Sequence, residues 1–117
     1  MLDQPQEIQD LVHQWFTGLR ESNNAANRAI EHVNLILGLK DEYIKRVNEL
    51  TDPLLKPERA EWLQNEINTI NRQIIYHANQ NREWQQIRTQ KWEEIKQIKS
   101  NPEAKKQIED INKRNLS

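Results

Sequence analysis

Apolar residues recur along the first half of the chain with a period of seven. Ile8, Trp15, Ser22, Ala29, Ile36, Tyr43 and Leu50 form one row. Phe16, Asn23, Ile30, Leu37 and Ile44 form a second row beside it, and Val12, Leu19, Ala26, Val33, Lys40 and Val47 a third. Three mostly apolar positions per heptad trace a stripe wider than the seam of a two-stranded coiled coil, so the pattern predicts a bundle helix. Glu21-Ser22-Asn23-Asn24 has poor helix propensity. The rows nevertheless pass through it without a phase skip, which a loop would preserve only by chance. One long helix over about 5–50 is therefore expected. The rival is a break at 21–24 that folds the N-terminal helix back into a compact monomeric bundle.

The second half repeats less cleanly. Leu63, Ile67, Ile70 and Ile74 keep spacings of three and four, and Ile75 and Ala78 continue them. Asn79-Gln80-Asn81-Arg82 interrupts the apolar face, which resumes as Trp84, Ile87, Trp92, Ile95 and Ile98. A strand would need period two, so the spacing predicts a helix over about 57–99 despite the β-branched isoleucines. Pro53 and Pro57 mark a stop and a restart, and Asn101-Pro102 reads as an N-cap followed by the first residue of a short helix over about 102–114.

Folding the long segments back near residue 54 pairs positions whose numbers sum to about 108. Small Ala25, Ala26 and Ala29 then lie opposite the layer of Trp84, a match of large against small. The expected fold is all-α: one domain over 1–117, a long antiparallel helical hairpin with a short C-terminal helix. Val33, Leu35, Ile36, Leu37 and Leu39 make 33–39 apolar nearly all round. An unpartnered hairpin would leave that girdle in water, so the chain is expected to self-associate, a dimer being favoured, and to complete a four-helix bundle.

Composition narrows the function classes. Leu, Ile, Val and Phe make up 24% of the chain, enough for a folded core. Two glycines and four prolines are too few for a small barrel or sandwich of many tight turns. The formal charge of −1 implies neither a strongly basic nucleic-acid binder nor an acidic tail. The absence of cysteine excludes disulfides, thiolate metal sites and cysteine catalysis. The start MLDQPQEIQD has neither a basic nor an apolar leader segment, and the longest near-apolar run, Leu35–Leu39, is far too short to span a bilayer. A cytoplasmic protein with no membrane partner is expected.

Little in the sequence carries chemistry. Asp10-x-x-His13 has the spacing of carboxylate-bridged metal sites, but those need a second copy, and neither His32 nor His77 has an acid three residues before it. No phosphate loop, nucleophile elbow or dinucleotide fingerprint occurs. No metal, cofactor or enzymatic activity is expected. His77 and Asn81 fall near the seam of the second helix, where a buried polar residue can fix register; a wet layer in which both are solvated is the expected alternative. Trp84, Arg88 and Trp92 are four apart. Trp84 is assigned to the core and Trp92 to its edge, with Arg88 and Trp92 as candidate partner contacts.

Charge is uneven, residues 1–60 being net −3 and residues 81–117 net +3. Lys99, Lys105, Lys106, Lys113 and Arg114 are the positions a nucleic acid would use. Interleaved acids at helical pairing distance, Glu109 with Lys113, Asp110 with Arg114 and Glu93 with Lys96, favour a solvated helix surface instead. The expected function is a non-enzymatic scaffold or adaptor that docks helix faces with itself and with another protein. The alternative is a nucleic-acid-associated helical protein.

Overall fold

The computed structural model describes residues 5–116. Residues 1–4, part of the start read above as leaderless, lie outside them. Three helices follow in order: α1 over Gln6–Leu50, α2 over Pro57–Ile98 and α3 over Pro102–Leu116. The described residues are 91% helix, and no strand occurs among them. This is the all-α hairpin with a short third helix that the periodicities predict. Helix α1 runs unbroken through 21–24. Ser22 and Ala25 are buried there while Asn23 and Asn24 face solvent, so the row pattern outweighs poor local propensity.

The helix ends follow from local chemistry. The Pro5 carbonyl accepts from the amides of Ile8 and Gln9 at 2.9 and 3.1 Å and opens α1. Between the long helices, the Thr51 hydroxyl donates to the Asn48 carbonyl at 2.6 Å, and the Asp52 carboxylate accepts from the Leu54 amide at 2.9 Å. Both are local bonds that divert the backbone from helix into a turn. Pro57 then starts α2, where a missing N–H costs nothing.

The side-chain oxygen of Asn101 accepts from the amides of Glu103 and Ala104 at 3.0 and 3.2 Å, the N-cap read from the sequence. Asn101→Ala is expected to cost about 1 kcal/mol in a urea titration. A change near zero would show that packing alone sets the start of α3.

The chain forms two compact units. The first comprises residues up to Ala26 together with those from Gln85 onward. Its core is Ile8, Val12 and Trp15 from α1, Ile95 from α2, and Ala104 and Ile108 from α3. Leu11, Phe16, Leu19, Ile98 and Ile111 pack around that cluster. Burial of Ala104, Ile108 and Ile111 on one side of α3 is the amphipathic spacing that its sequence carries.

The second unit, Asn27–Trp84, holds the turn and the adjoining stretches of α1 and α2. Ala29, Leu63, Ile67 and Ile70 are its buried apolar residues. Glu49 and Arg59 form a two-armed ion pair across the turn, one arm at 2.9 Å. The Arg59 guanidinium lies 4.3 Å above the Trp62 ring and that of Arg46 5.4 Å from it. Contacts Glu49–Arg59, His32–His77 and Ala29–Asn81 pair residues whose numbers sum to 108, 109 and 110, close to the register expected from the fold-back.

The tryptophans sort differently from expectation in one respect. Trp92, at 47% exposure, lies at an edge as assigned. Trp84 is half-buried rather than enclosed, and the indole in a core is that of Trp15, at 8%. Trp15 has a core because a third helix closes over its layer of the first unit.

Candidate functional site

The heptad rows of α1 have different fates in the second unit. Row one, represented by Ala29, Ile36, Tyr43 and Leu50, is buried or half-buried. Row two stands roughly 100° further round the helix, beyond the reach of a single partner helix. Its members Ile30, Leu37 and Ile44 are 56%, 55% and 55% exposed, and Val33 of row three is exposed beside them. Their spacing, with Lys40 completing it, alternates three and four, the a/d spacing of a coiled-coil seam. In the first unit the same rows contribute Phe16 and Leu19, which pack against the cluster containing Ala104 and Ile108 of α3. The second unit contains no third helix.

The apolar girdle therefore splits. Val33, Leu35 and Leu37 are exposed, whereas Ile36 and Leu39 are half-buried on the side of row one. On α2, Ile75 and Tyr76 are also exposed, so Ile75 leaves the apolar face whose spacing it continues.

Both glycines of the chain lie inside α1, where glycine costs about 0.5–1 kcal/mol relative to alanine. Gly18 has a packing reason within the chain, because a methyl group there would overlap Cγ2 of Ile95. Gly38 has none: a Cβ would point into open space with nothing within 4 Å.

A polar layer crosses the interior of the second unit. Nδ1 of His32 and Nδ1 of His77 are 2.8 Å apart, with ring centroids at 5.1 Å. One ring must donate and the other accept, so the pair holds a single proton between these two nitrogens. The Tyr76 ring stands edge-on to His77. The Asn81 amide donates to the Ala29 carbonyl at 2.8 Å. Sliding α1 along α2 by one residue would break both contacts, which supports the register role read for His77 and Asn81. The sequence reading left His32 out of this layer. The signal was present, since His32 and His77 satisfy the fold-back sum within one residue.

In the first unit, Arg88 and Trp92 line a shallow cleft of about 250 Å³ with Ser22, Asn23 and Thr89. A larger open cleft of about 590 Å³ includes His13, Gly18, Glu21, Glu94 and Ile95. Lys91 bonds Glu21 at 2.8 Å and approaches Glu94 at 3.7 Å; the bond to Glu21 holds its ammonium above the usual lysine range. The hydrogen bond from Arg59 likewise holds the Glu49 carboxyl below the usual glutamate range.

The basic candidates are partly engaged. Lys99 is half-buried with its ammonium 5.0 Å above the Trp15 ring. Lys105, Lys106, Lys113 and Arg114 are exposed on α3, interspersed with exposed Glu109 and Asp110. Arg114 donates to the Asp110 carbonyl at 3.5 Å, and Lys96 pairs with Glu93 at 3.3 Å. His13 is exposed, and its neighbour Asp10 accepts from Gln6 at 2.8 Å. Among the described residues no group of three or more potential metal ligands converges, and no helix is long and apolar enough to cross a membrane. Compared with protein-family models, curated protein sequences and solved structures, the chain is significantly similar to none.

Proposed function

We propose that this chain is a non-enzymatic assembly module, a scaffold or adaptor that docks helices on the outer face of α1, first with a second copy of itself and through it with another protein. The observation that carries the reading is the exposed a/d row Ile30, Val33, Leu37 and Ile44. Four large apolar side chains in one row, with Lys40 between Leu37 and Ile44, form a patch of the kind monomers seldom leave in water. The matching rows in the first unit are packed on a cluster to which a third helix contributes, so this helix surface accepts a helical partner where one is supplied.

Sedimentation and light scattering over a wide concentration range test it. The wild-type chain is expected to self-associate, and Ile30→Glu with Leu37→Glu to leave a folded monomer by circular dichroism. A wild-type chain that stays monomeric at every concentration sinks the reading.

A further inference from the structure

We propose that the second copy binds antiparallel across a two-fold axis at Leu37–Gly38, so that α1 packs on α1 of its partner with Gly38 at the crossing. The proposal rests on the self-docking reading above and specifies its partner and geometry. Three observations meet at this point of α1.

The first is Gly38. Gly18 shows what a helical glycine does in this chain, since it lets another element approach where no Cβ fits. Gly38 occupies an equally unfavourable mid-helix position with no approaching neighbour of its own chain. A helix from outside the chain supplies the missing reason.

The second is the placement of charge. Glu31 and Lys45 lie seven residues before and after Gly38, on the same line of the helix to within about 20° per heptad. An antiparallel partner centred at Gly38 brings Glu31 opposite Lys45 of the second copy, and Lys45 opposite Glu31, two equivalent pairs. A parallel partner would set like charge against like. Within the chain both groups make only exposed contacts, Glu31 with Arg28 and Lys45 with Glu42, each at 3.4 Å. Such contacts yield readily to a better-placed partner.

The third is the apolar row. Ile30 and Ile44 lie seven residues either side of Leu37. With the axis between Leu37 and Gly38, Ile30 stands within one residue of Ile44 of the partner and Leu37 within one residue of its own copy, along the edge of the contact about 100° round from the Glu31–Gly38–Lys45 line. That covers three of the most exposed apolar side chains of α1 in one contact. A two-fold axis requires such a self-complementary patch.

The cysteine-free chain makes the geometry directly testable. Under mild oxidation Gly38→Cys is expected to form covalent dimers in high yield. Glu31→Cys alone and Lys45→Cys alone are expected to form few, whereas an equimolar mixture of the two should cross-link. Glu31→Lys should weaken dimerisation by roughly tenfold, and adding Lys45→Glu should restore it. Gly38→Ala should raise the melting temperature measured on monomer at high dilution, yet weaken dimerisation.

Self-cross-linking of both Glu31→Cys and Lys45→Cys with no cross-link in their mixture would overturn the antiparallel pairing in favour of a parallel one. A dimer abolished by Leu37→Glu but showing no cross-linking through residue 38 overturns this geometry and leaves the self-docking reading standing. A wild-type monomer overturns both.

Discussion

Trp15→Ala is expected to be the most damaging single truncation of a tryptophan in this chain, costing about 3–5 kcal/mol in a urea titration. Its indole is 8% exposed and sits in the cluster formed by Ile8, Val12, Ile95, Ala104 and Ile108. The Phe16 ring meets it edge-on at 4.9 Å, and the Lys99 ammonium lies over it. Truncation leaves a cavity bounded by three helices, each of which holds a buried isoleucine that cannot collapse into it without moving the backbone. Trp92→Ala removes a side chain that is half in water, and the expected change is about 0.5 kcal/mol or less. Trp84→Ala falls between them because its ring is half-buried. If Trp92→Ala proves more destabilising than Trp15→Ala, the inside and the edge of the first unit are reversed.

Gly18→Ala carries the second large effect, and its sign is opposite to the usual gain from replacing a helical glycine. On propensity alone, alanine in the middle of α1 would stabilise by about 0.5–1 kcal/mol. The new methyl would instead overlap Cγ2 of Ile95, a side chain only 2% exposed and enclosed by the same core. Overpacking of this kind costs about 1–3 kcal/mol, which outweighs the propensity gain. Ile95→Ala removes the obstructing methyl, so Gly18→Ala should be far less harmful in that background. A double-mutant cycle with no coupling between the two positions would show that the helices do not meet at Gly18.

The contrast between the two glycines marks how far the sequence could be read. Both lie inside α1 and on none of its three apolar rows, and their spacing alone does not say what packs against either. The three-row pattern was enough to predict α1, including its passage through Glu21-Ser22-Asn23-Asn24. Phase is a property of the whole helix, and four weak residues do not reset it. The prolines and Asn101 predicted the ends of α2 and the start of α3, because capping is a bond between neighbours in sequence.

The fold-back sum placed the partner layers to within about two residues, since rigid helices joined by a short turn leave little freedom of register. What periodicity could not supply was the number of neighbours each layer of α1 would have. Rows two and three look alike from Phe16 to Ile44. Tertiary structure alone decided that Phe16 and Leu19 pack on a core shared with α3, while Ile30, Leu37 and Ile44 stay exposed.

The same limit explains Trp84 and Trp15. Burial depends on what closes over a side chain from a distant part of the chain, and the spacing of residues on one helix carries no record of it. The approach of His32 to His77 was legible in the fold-back sum, but the bond between their rings was not. Each ring is unremarkable in its own helix, and only the approach of α2 to α1 turned two isolated imidazoles into one hydrogen-bonded pair. The sequence by itself determined the helices, their ends and their register, because those follow from local bonds and a repeating phase. Which faces were filled and which were left exposed was decided only when helices of unequal length packed together.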